Sequence, residues 1–583
     1  MFSSLFLTGT IIEFSQIGAG FIDGIVISRF LGPEAMAAEG IVHPIFSIMG
    51  IISGMLAVGM QVRCTQLIGR GDQKNLSRFF SVTVYVGAVI CLIMTALILI
   101  FAKPFVSLLG ASRNGAELLM PASRYLIGIG IGILPLIMTA ILAPAFQLDS
   151  GRKTIQTGAI IEAIADITLD ILAVKLGFGI IGVGAATAIA SYINLLYQCT
   201  HFLKKDCMLH FVRPNVSIRE FLHMISFGGD RAFRRLFNTL RPIVLNTFII
   251  AYGGTLAMSA LSVRNNFSNF VEIFGAGIAS AVGLLIGLYF GEVNDEGIVA
   301  VIGRKNRAIA AYCGSVCVLL FLFAPYVARL YVSDDTELYN MVIFAIRMLA
   351  LQNPLQALIE SRIKYLQAIQ RKFNTNLLNF LAQLVFVLLS ALVLGNLFGV
   401  YGILACFTVS DMLTLIAIVV FYAIKCHKPI PSKRDLLALS AEFNLAPGDV
   451  ISLDISNMKE VSLASQQIRM FCKGHNVDHR TAYYAALCFE ELASNVVEHG
   501  FPNNNSEHPI IDLRIVITDN KFVIRMRDDC PHYDIIKAIA VANAEGADLS
   551  QNIGIRIVSG LASDINYMHA FETNSLIIRF NLC

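Results

Sequence analysis

The chain has 583 residues, of which 56% are hydrophobic and only 15% are charged, and its mean hydropathy is +0.68. Soluble domains carry about 25% charged residues, so most of this protein must face lipid. A net charge of +3, without a basic arm, does not indicate nucleic-acid binding. The twelve cysteines lie at irregular spacing with no CxxC pair, which favours free thiols over disulfides or a zinc site.

The first 425 residues form a series of apolar runs long enough to cross a bilayer, which takes roughly 20 residues per helix. Twelve such runs are present, near 5–30, 40–68, 79–102, 124–146, 156–176, 180–203, 236–252, 267–291, 308–330, 340–368, 375–395 and 399–425. Most Lys and Arg residues in the short loops fall on one side of the predicted topology. The positive-inside rule then places both termini in the cytoplasm, and predicts a multi-pass protein of the cytoplasmic membrane.

Short sequences in this region recur at a shift of about 220 residues. The recurring pairs are Ala35-Met-Ala-Ala38 with Ala257-Met-Ser-Ala260, Gly32 with Gly254, Pro135-Leu136 with Pro354-Leu355, and Phe178-Gly179 with Phe398-Gly399. These pairs form three groups that recur in the same order at a nearly constant shift. They predict two homologous six-helix lobes, 1–210 and 211–425. Two such lobes facing each other form the kind of cleft in which transporters bind substrate and alternate access.

Acidic residues stand within the predicted spans, where they are costly and usually functional. Asp23 lies deep in the first span, and Asp166 and Asp170 lie four residues apart on the fifth, with Glu162 extending the same helix face. Carboxylates that face each other in a low-dielectric cavity repel, so at least one should bind a proton or a cation. The second half has scattered acids, Glu272, Glu360 and Asp411, and for Glu272 and Glu360 a structural pairing with an arginine or a hydroxyl is an equal alternative.

These residues carry a family resemblance. The stretch Gly20-Phe-Ile-Asp23-Gly-Ile-Val-Ile-Ser-Arg-Phe-Leu31 resembles the first-helix signature of the MATE (multidrug and toxic compound extrusion) transporters, and Ile68-Gly-Arg-Gly-Asp72 is similar to their second cytoplasmic signature. The resemblance covers roughly residues 1–425. It implies a secondary active antiporter that exports small organic, often cationic, compounds and is driven by inward Na⁺ or H⁺.

The resemblance also implies which residues couple transport to the ion. The first-helix Asp of the family is central to cation coupling and corresponds to Asp23. The Asn-x-x-x-Asp of helix 5 matches Asp166-Ile-Thr-Leu-Asp170, and a helix-6 threonine matches Thr187. Because Asp166 replaces an asparagine and adds a negative charge, the choice between Na⁺ and H⁺ stays open.

The pattern changes after a basic, proline-bearing linker at 426–445. Helices are predicted near 460–476, 479–499 and 552–563, and strand-like segments at 510–518, 521–528 and 575–580. Helices mixed with antiparallel-type strands predict a soluble two-layer α/β sandwich over 446–583.

Three parts of this domain point to nucleotide chemistry. Glu491 and Asn495 share a helix face, where a carboxylate can act as a base and a carboxamide oxygen can bind Mg²⁺. Asp528 ends a strand and can accept a hydrogen bond from an adenine amino group. Gly554 opens a helix whose backbone N–H groups suit phosphate.

In this order the segments resemble the GHKL-type ATPase fold, closest to the anti-sigma-factor serine kinases. The resemblance implies Glu491 as catalytic base, Asn495 as Mg²⁺ ligand and Asp528 as adenine acceptor, with Gly554 at the phosphates. His499 matches a helix-end histidine common in that subgroup.

Two residues depart from the ATPase pattern, since Cys530 and Asn552 each replace a glycine of the nucleotide-binding loops. Their side chains would crowd a nucleotide. Binding of Mg·ATP is therefore favoured over serine or threonine kinase activity, and a degenerate domain that binds only a protein is the alternative.

The combined reading is a MATE-like antiporter with an ATPase-like regulatory domain that contacts a small cytoplasmic regulatory protein. A lipid-linked-oligosaccharide flippase shares the two-lobe plan and prefers a cationic cavity. Five arginines of the second half keep that alternative open: Arg231, Arg234, Arg235, Arg241 and Arg264. A third possibility is a membrane sensor that binds a ligand but moves nothing.

Overall fold

The computed structural model describes the whole chain except residues 112–117, 205–206, 214–215, 332–335, 430–431, 440–442, 444–448, 505–507, 519–520, 545–552 and 583. Residues 1–426 form a helical membrane body. Its helices are α1 (Phe2–Val26), α2 (Pro33–Arg70), α3 (Gln73–Val106), α4 (Leu119–Gly130), α5 (Ile133–Leu148), α6 (Arg152–Lys175), α7 (Gly179–Cys199), α8 (Ile218–Ile225), α9 (Gly229–Gly291), α10 (Asp295–Ala308), α11 (Gly314–Tyr331), α12 (Thr336–Ala368), α13 (Lys372–Phe380) and α14 (Phe386–Cys426).

Among the described residues, seven helices are long and apolar enough to cross a membrane, or eight if the bent pair α4 and α5 is one span. The multi-pass prediction is confirmed, but this count does not reproduce the predicted twelve. Two long helices contain breaks, at Gly254 in α9 and at Gly399 in α14, where φ is +60°. Helix α6 carries three acids within its apolar stretch, which keeps it out of the count.

The backbone repeats at the same shift as the sequence. Four pairs of residues with positive φ are related in this way: Gly32 and Gly254, Gly71 and Val293, Ser150 and Gln370, and Gly179 and Gly399. Three of these residues are not glycine, and a non-glycine residue rarely adopts positive φ. Side-chain caps recur too, since Asp72 caps α3 and Asn294 caps α10. The internal repeat therefore extends from the sequence to the turns of the chain.

The positive-φ residues Gly71, Ser150, Val293 and Gln370 each follow the end of a long helix, and we call these four turns the corners. Near two of them the halves touch through glycines. A Cβ at Gly69 would lie 2.3 Å from the Leu288 carbonyl oxygen, and one at Gly291 would lie 2.4 Å from that of Gln66. Only glycine permits this approach, so α2 and α9 are closely packed beside the corners at Gly71 and Val293.

The C-terminal domain is a five-stranded antiparallel sheet with the strand order β1-β2-β3-β5-β4. Its elements are β1 (Val450–Ile455), α16 (Met458–Gly474), α17 (His479–Asn495), β2 (Ile511–Thr518), β3 (Lys521–Asp528), α18 (Ile535–Ala542), α19 (Ile553–Leu561), β4 (Asp564–Ala570) and β5 (Thr573–Asn581), preceded in the linker by α15 (Lys433–Leu437). The predicted α/β character is confirmed, whereas β1, β4 and α18 were not predicted.

Alternation along the strands gives the sheet two different faces. On one face Phe522, Ile524 and Met526 of β3 are buried against the helices, in a core that includes Phe489 of α17. The opposite face carries four arginines and one isoleucine of β2, β3 and β5: Arg514, Arg525, Arg527, Ile577 and Arg579. We call this second face the docking face, because it packs on the membrane body.

Glu292, between α9 and α10, is the centre of that contact. Its carboxylate pairs with both Arg525 and Arg527, and its side chain is only 2% exposed. Arg514 adds a hydrogen bond of 3.2 Å to the carbonyl of Val293 and weaker pairing with Asp295 at 3.8 Å. Burial lowers the pKa of the Arg525 guanidinium, and Glu292 opposes that shift. The docking face is thus joined to the second half of the body by buried ion pairs.

The β4–β5 turn joins the same domain to the first half. The Phe571 N–H donates to the Leu148 carbonyl at 3.0 Å, and the Glu572 N–H donates to the Ser150 hydroxyl at 2.7 Å. Arg152 donates back to the Phe571 carbonyl at 2.8 Å. The turn is therefore hydrogen-bonded to the corner at Ser150.

Two further contacts complete this arrangement. Arg579 donates to the Arg70 carbonyl at 2.6 Å, beside the corner at Gly71. The described part of the linker packs on α12, where Arg362 and Tyr365 donate to the carbonyls of Leu436 and Leu437, both at 2.6 Å. The linker is consequently packed against the body, and the domain boundary at 426–445 stays a prediction.

Candidate functional site

Three carboxylates from two helices converge in the first half of the body. Asp23 of α1 and Asp166 and Asp170 of α6 each offer an oxygen, and these oxygens all lie within 4.8 Å of one another. The spacing of four residues places both α6 acids toward α1, and Asp166 and Asp170 are 4% and 0% exposed. The structure brings together the three acids that were predicted to act together.

Most oxygens of this acid cluster lack a protein donor. Asp23 and Asp166 each have one buried oxygen without a hydrogen-bond partner among the described residues, and Asp170 has two. Three ionised carboxylates this close repel one another, and burial makes each charge more costly. Carboxylate oxygens are also the ligands that hard cations prefer. The cluster can thus hold a cation or shared protons, and it can exchange one for the other.

The neighbours of the cluster differ from the prediction. Glu162 is on the same helix but accepts from Ser191 at 2.6 Å and from Asn194 at 2.7 Å, so α7 satisfies it. Thr187 of α7 lies beside Asp166. Glu39 of α2 lies close enough to influence Asp23 and Asp170 electrostatically, and was not predicted. Glu39 is an acid within the apolar helix α2, and this charge was the sequence signal that could have identified it.

The acids of the second half are not scattered. Glu360 is paired with Arg234, and Glu272 and Asp411 line one cavity of 660 Å³ together with Glu360. Arg241 and Arg264 line the same cavity. The side chains of Arg231 and Arg235 lie outside the described residues. The two halves therefore differ, since the first has an acid cluster and the second has both signs of charge.

In the C-terminal domain, Glu491 and Asn495 both lie on α17 and are partly buried. Helix α17 packs against α19 and β3, which carry Gly554 and Asp528. A Cβ at Gly554 would lie 2.1 Å from Oε2 of Glu491, so the glycine is required for this helix to approach the carboxylate. Four of the predicted residues are thus carried by three elements that pack together.

Asp528 is held by a residue that was not predicted. The Asn574 amide donates to its Oδ1 at 2.7 Å, and the Cys530 N–H donates to the same oxygen at 3.0 Å. Burial raises the pKa of the Asp528 carboxyl, and the two donors oppose that rise. Burial and the neighbouring Asp528 raise the pKa of the Cys530 thiol to about 12. The side chain that replaces glycine here is therefore a neutral thiol.

Two further positions belong to the predicted nucleotide site, His499 and Asn552. His499 is exposed on a π-helical turn after α17, and its carbonyl accepts from Asn503 at 2.8 Å. Asn552 and the preceding residues lie outside the described residues, and the description resumes at Ile553, where α19 begins.

Comparison with known proteins identifies the family of the membrane body. The MatE family model matches residues 10–172 and again 232–393, which together exceed half of the chain. The chain belongs to the MatE family. The two matches correspond to the two repeats seen in the backbone, so the internal repeat of this MatE protein is confirmed independently. The model of the histidine kinase-like ATPase domain matches residues 456–580.

The relatives of this MatE protein are distant. It is 22% identical to the multidrug export protein MepA of Staphylococcus haemolyticus, over 69% of this chain and 90% of that protein. It is 24% identical to an uncharacterized transporter, YisQ of Bacillus subtilis, over 47% of this chain, and spans 60% of the length of that relative. A solved outward-facing multidrug resistance MATE family transporter has a TM-score of 0.66 at 21% identity, covering 71% of this chain and 93% of that one. These likenesses confirm the fold.

Proposed function

We propose that this protein is a secondary active exporter that couples the efflux of small organic, often cationic, compounds to inward movement of Na⁺ or H⁺. The observation that carries the proposal is the acid cluster of Asp23, Asp166 and Asp170, with its unpartnered buried oxygens. Binding of the coupling cation neutralises the cluster, and its release restores the repulsion. Thr187 supplies a polar neighbour to Asp166. The name of the relative MepA supports export of drugs.

The proposed topology has twelve spans in two lobes, with both termini in the cytoplasm. The breaks at Gly254 and Gly399 support it, because each divides one long helix into two segments. The basic loops support the orientation. In this topology the corners and the C-terminal domain lie on the cytoplasmic side, where nucleotide is available.

The C-terminal domain is proposed to bind Mg·ATP and to regulate transport. Asn495 would hold Mg²⁺, Asp528 would accept from adenine, and Glu491 would be the catalytic base wherever phosphoryl transfer occurs; bound Mg²⁺ would neutralise phosphate charge. Contacts of the docking face with both halves of the body support the regulatory role. A small cytoplasmic regulatory protein would have to bind elsewhere on the domain, since the body covers that face.

The test is transport by the full chain in proteoliposomes, with Na⁺ and H⁺ gradients imposed separately and efflux of ethidium followed by fluorescence. Asp23→Asn should abolish gradient-driven efflux at unchanged protein level. Glu162→Gln is the matched control, because Glu162 has its own donors. Full activity of Asp23→Asn would contradict the coupling role. Addition of Mg·ATP on the cytoplasmic side should change the rate in the wild type and not in Asn495→Ala.

A further inference from the structure

The cavity of the second half has no role in the coupling described above. It measures 660 Å³, a volume typical of sites for small molecules. Its lining is rich in amide and charged side chains, contributed mainly by α9, α12 and α14. The polar members include Asn238, Asn246, Asn269, Gln352, Gln356 and Gln383. Such a lining suits a hydrophilic solute better than an apolar one.

Two arginines of the cavity stand beside the same aromatic ring. The guanidinium carbon of Arg264 lies 3.8 Å from the centre of the Phe407 ring and that of Arg241 lies 5.4 Å from it. Neither forms a salt bridge with a described residue. Arg264 is 4% exposed; it donates to the amide oxygens of Asn265 and Gln352, and its Nε has no partner among the described residues. Two guanidinium groups held near one ring without a direct salt bridge form a site for an anionic group.

Acidic groups line the same cavity. Asp411 is 7% exposed and its Oδ2 lacks a partner among the described residues, and Glu272 is also in the lining. The contrast is Glu360, which is paired with Arg234. The cavity therefore contains one ion pair, and it also presents charges of both signs that form no direct salt bridge among the described residues.

We propose that this cavity binds small hydrophilic zwitterions. A carboxylate of the solute is held by Arg241 and Arg264 beside Phe407, and its ammonium group is held by Asp411 and Glu272. The assignment rests on the proposed export function and names the class of solute for it.

The test uses the detergent-solubilised full chain and a fluorescent probe, dansyl-glycyl-lysine, which carries a free carboxylate and a lysine ammonium. The matched probe is its C-terminal amide, which keeps the ammonium and lacks the carboxylate. The wild type should bind the acid about tenfold or more tightly than the amide, as expected for one lost charge-assisted interaction. Equal affinities, or no saturable binding of the acid, would overturn the proposal.

Two variants locate the probe. Arg264→Gln should weaken binding of the acid about tenfold or more and leave the amide unchanged. Asp411→Asn should weaken both probes. Arg219→Gln, an exposed arginine of α8, is the control and should change neither. An Arg264→Gln protein that elutes as the wild type does and still prefers the acid would also overturn the proposal.

This result is separable from the proposed function. Loss of carboxylate preference with Asp23-dependent ethidium efflux intact would count against the zwitterion site alone. Carboxylate-selective binding in a protein that shows no gradient-driven transport would count against the exporter alone.

Discussion

Replacement of Glu292 by glutamine tests whether buried ion pairs hold the ATPase-like domain on the membrane body. The Glu292 side chain is 2% exposed, and those of Arg525 and Arg527 are 6% and 8% exposed. The substitution keeps the size of the side chain but leaves the two buried guanidinium groups with only the half-exposed Asp512, at 3.9 and 4.0 Å, as a counter-ion. The domain should therefore separate from the body more readily in Glu292→Gln.

The magnitude follows from burial. Removal of one partner of a buried ion pair costs about 3–5 kcal/mol, which corresponds to roughly two to three and a half orders of magnitude in the docking equilibrium. Glu296→Gln is the matched control. Glu296 lies 3.7 Å from Arg514, but its side chain is 69% exposed, and an exposed pair contributes at most about 1 kcal/mol.

Hydrogen–deuterium exchange of the purified full chain measures the effect directly. Peptides that cover β4, β5 and the turn between α9 and α10 should exchange faster in Glu292→Gln and at the wild-type rate in Glu296→Gln. Peptides from α17 should be unchanged in both, because the core of the domain does not depend on docking. Equal protection of the docking face in the two variants would refute the reasoning.

Four further predictions follow from individual side chains. Asp170→Asn should raise the midpoint of thermal unfolding and abolish gradient-driven efflux, since it removes a buried carboxylate with two unpartnered oxygens; a lowered midpoint would contradict this. Gly554→Ala should weaken Mg·ATP binding about tenfold or more by calorimetry, because its Cβ would lie 2.1 Å from Glu491, whereas Gly560→Ala, with open space around it, should not. Asn574→Ala should destabilise the C-terminal domain by about 1–3 kcal/mol in urea unfolding, because Asp528 loses one of its two donors. Burial raises the pKa of Cys530 to about 12, so its thiolate is scarce at pH 8 and iodoacetamide should label it only after unfolding; rapid labelling of the folded chain would contradict that pKa.

Local patterns were sufficient to predict much of the fold. The four-residue spacing of Asp166 and Asp170 placed them on one face of α6, and β3 has the predicted bounds of 521–528. Strands β1 and β4 were not predicted, although Ser452 and Asp454 alternate with apolar residues in β1, and Asp564 and Asn566 do so at the start of β4. The correspondence between Gly71 and Val293 could not be predicted either, because a valine with positive φ leaves no recognisable pattern in the sequence.

Sequence patterns could not identify the residues whose role depends on contacts with residues far away along the chain. Asn574 is 46 positions from the Asp528 carboxylate that it holds. Glu292 was not predicted, and it pairs with arginines of β3 more than 230 positions away. Glu272 and Asp411 seemed isolated because helix order does not reveal which spans line a common cavity. In each case the partner is fixed by tertiary packing.

The corners explain why the domain docks where it does. Each corner follows the end of a helix, where the last carbonyl groups lack intrahelical donors and the helix dipole is negative. At two corners, arginines of the docking face supply these missing donors. Arg579 donates to the Arg70 carbonyl and Arg514 donates to the Val293 carbonyl.

These two corners belong to opposite halves and flank the closely packed glycines of α2 and α9. The sheet therefore contacts both halves across the junction between them. Alternating access requires the halves to move relative to each other. In the proposed exporter, separation of the halves at this junction must therefore first break the Glu292 ion pairs or the hydrogen bonds of the β4–β5 turn. Under the proposed regulatory role, a nucleotide-dependent change in the sheet would alter transport through these contacts, without touching the acid cluster.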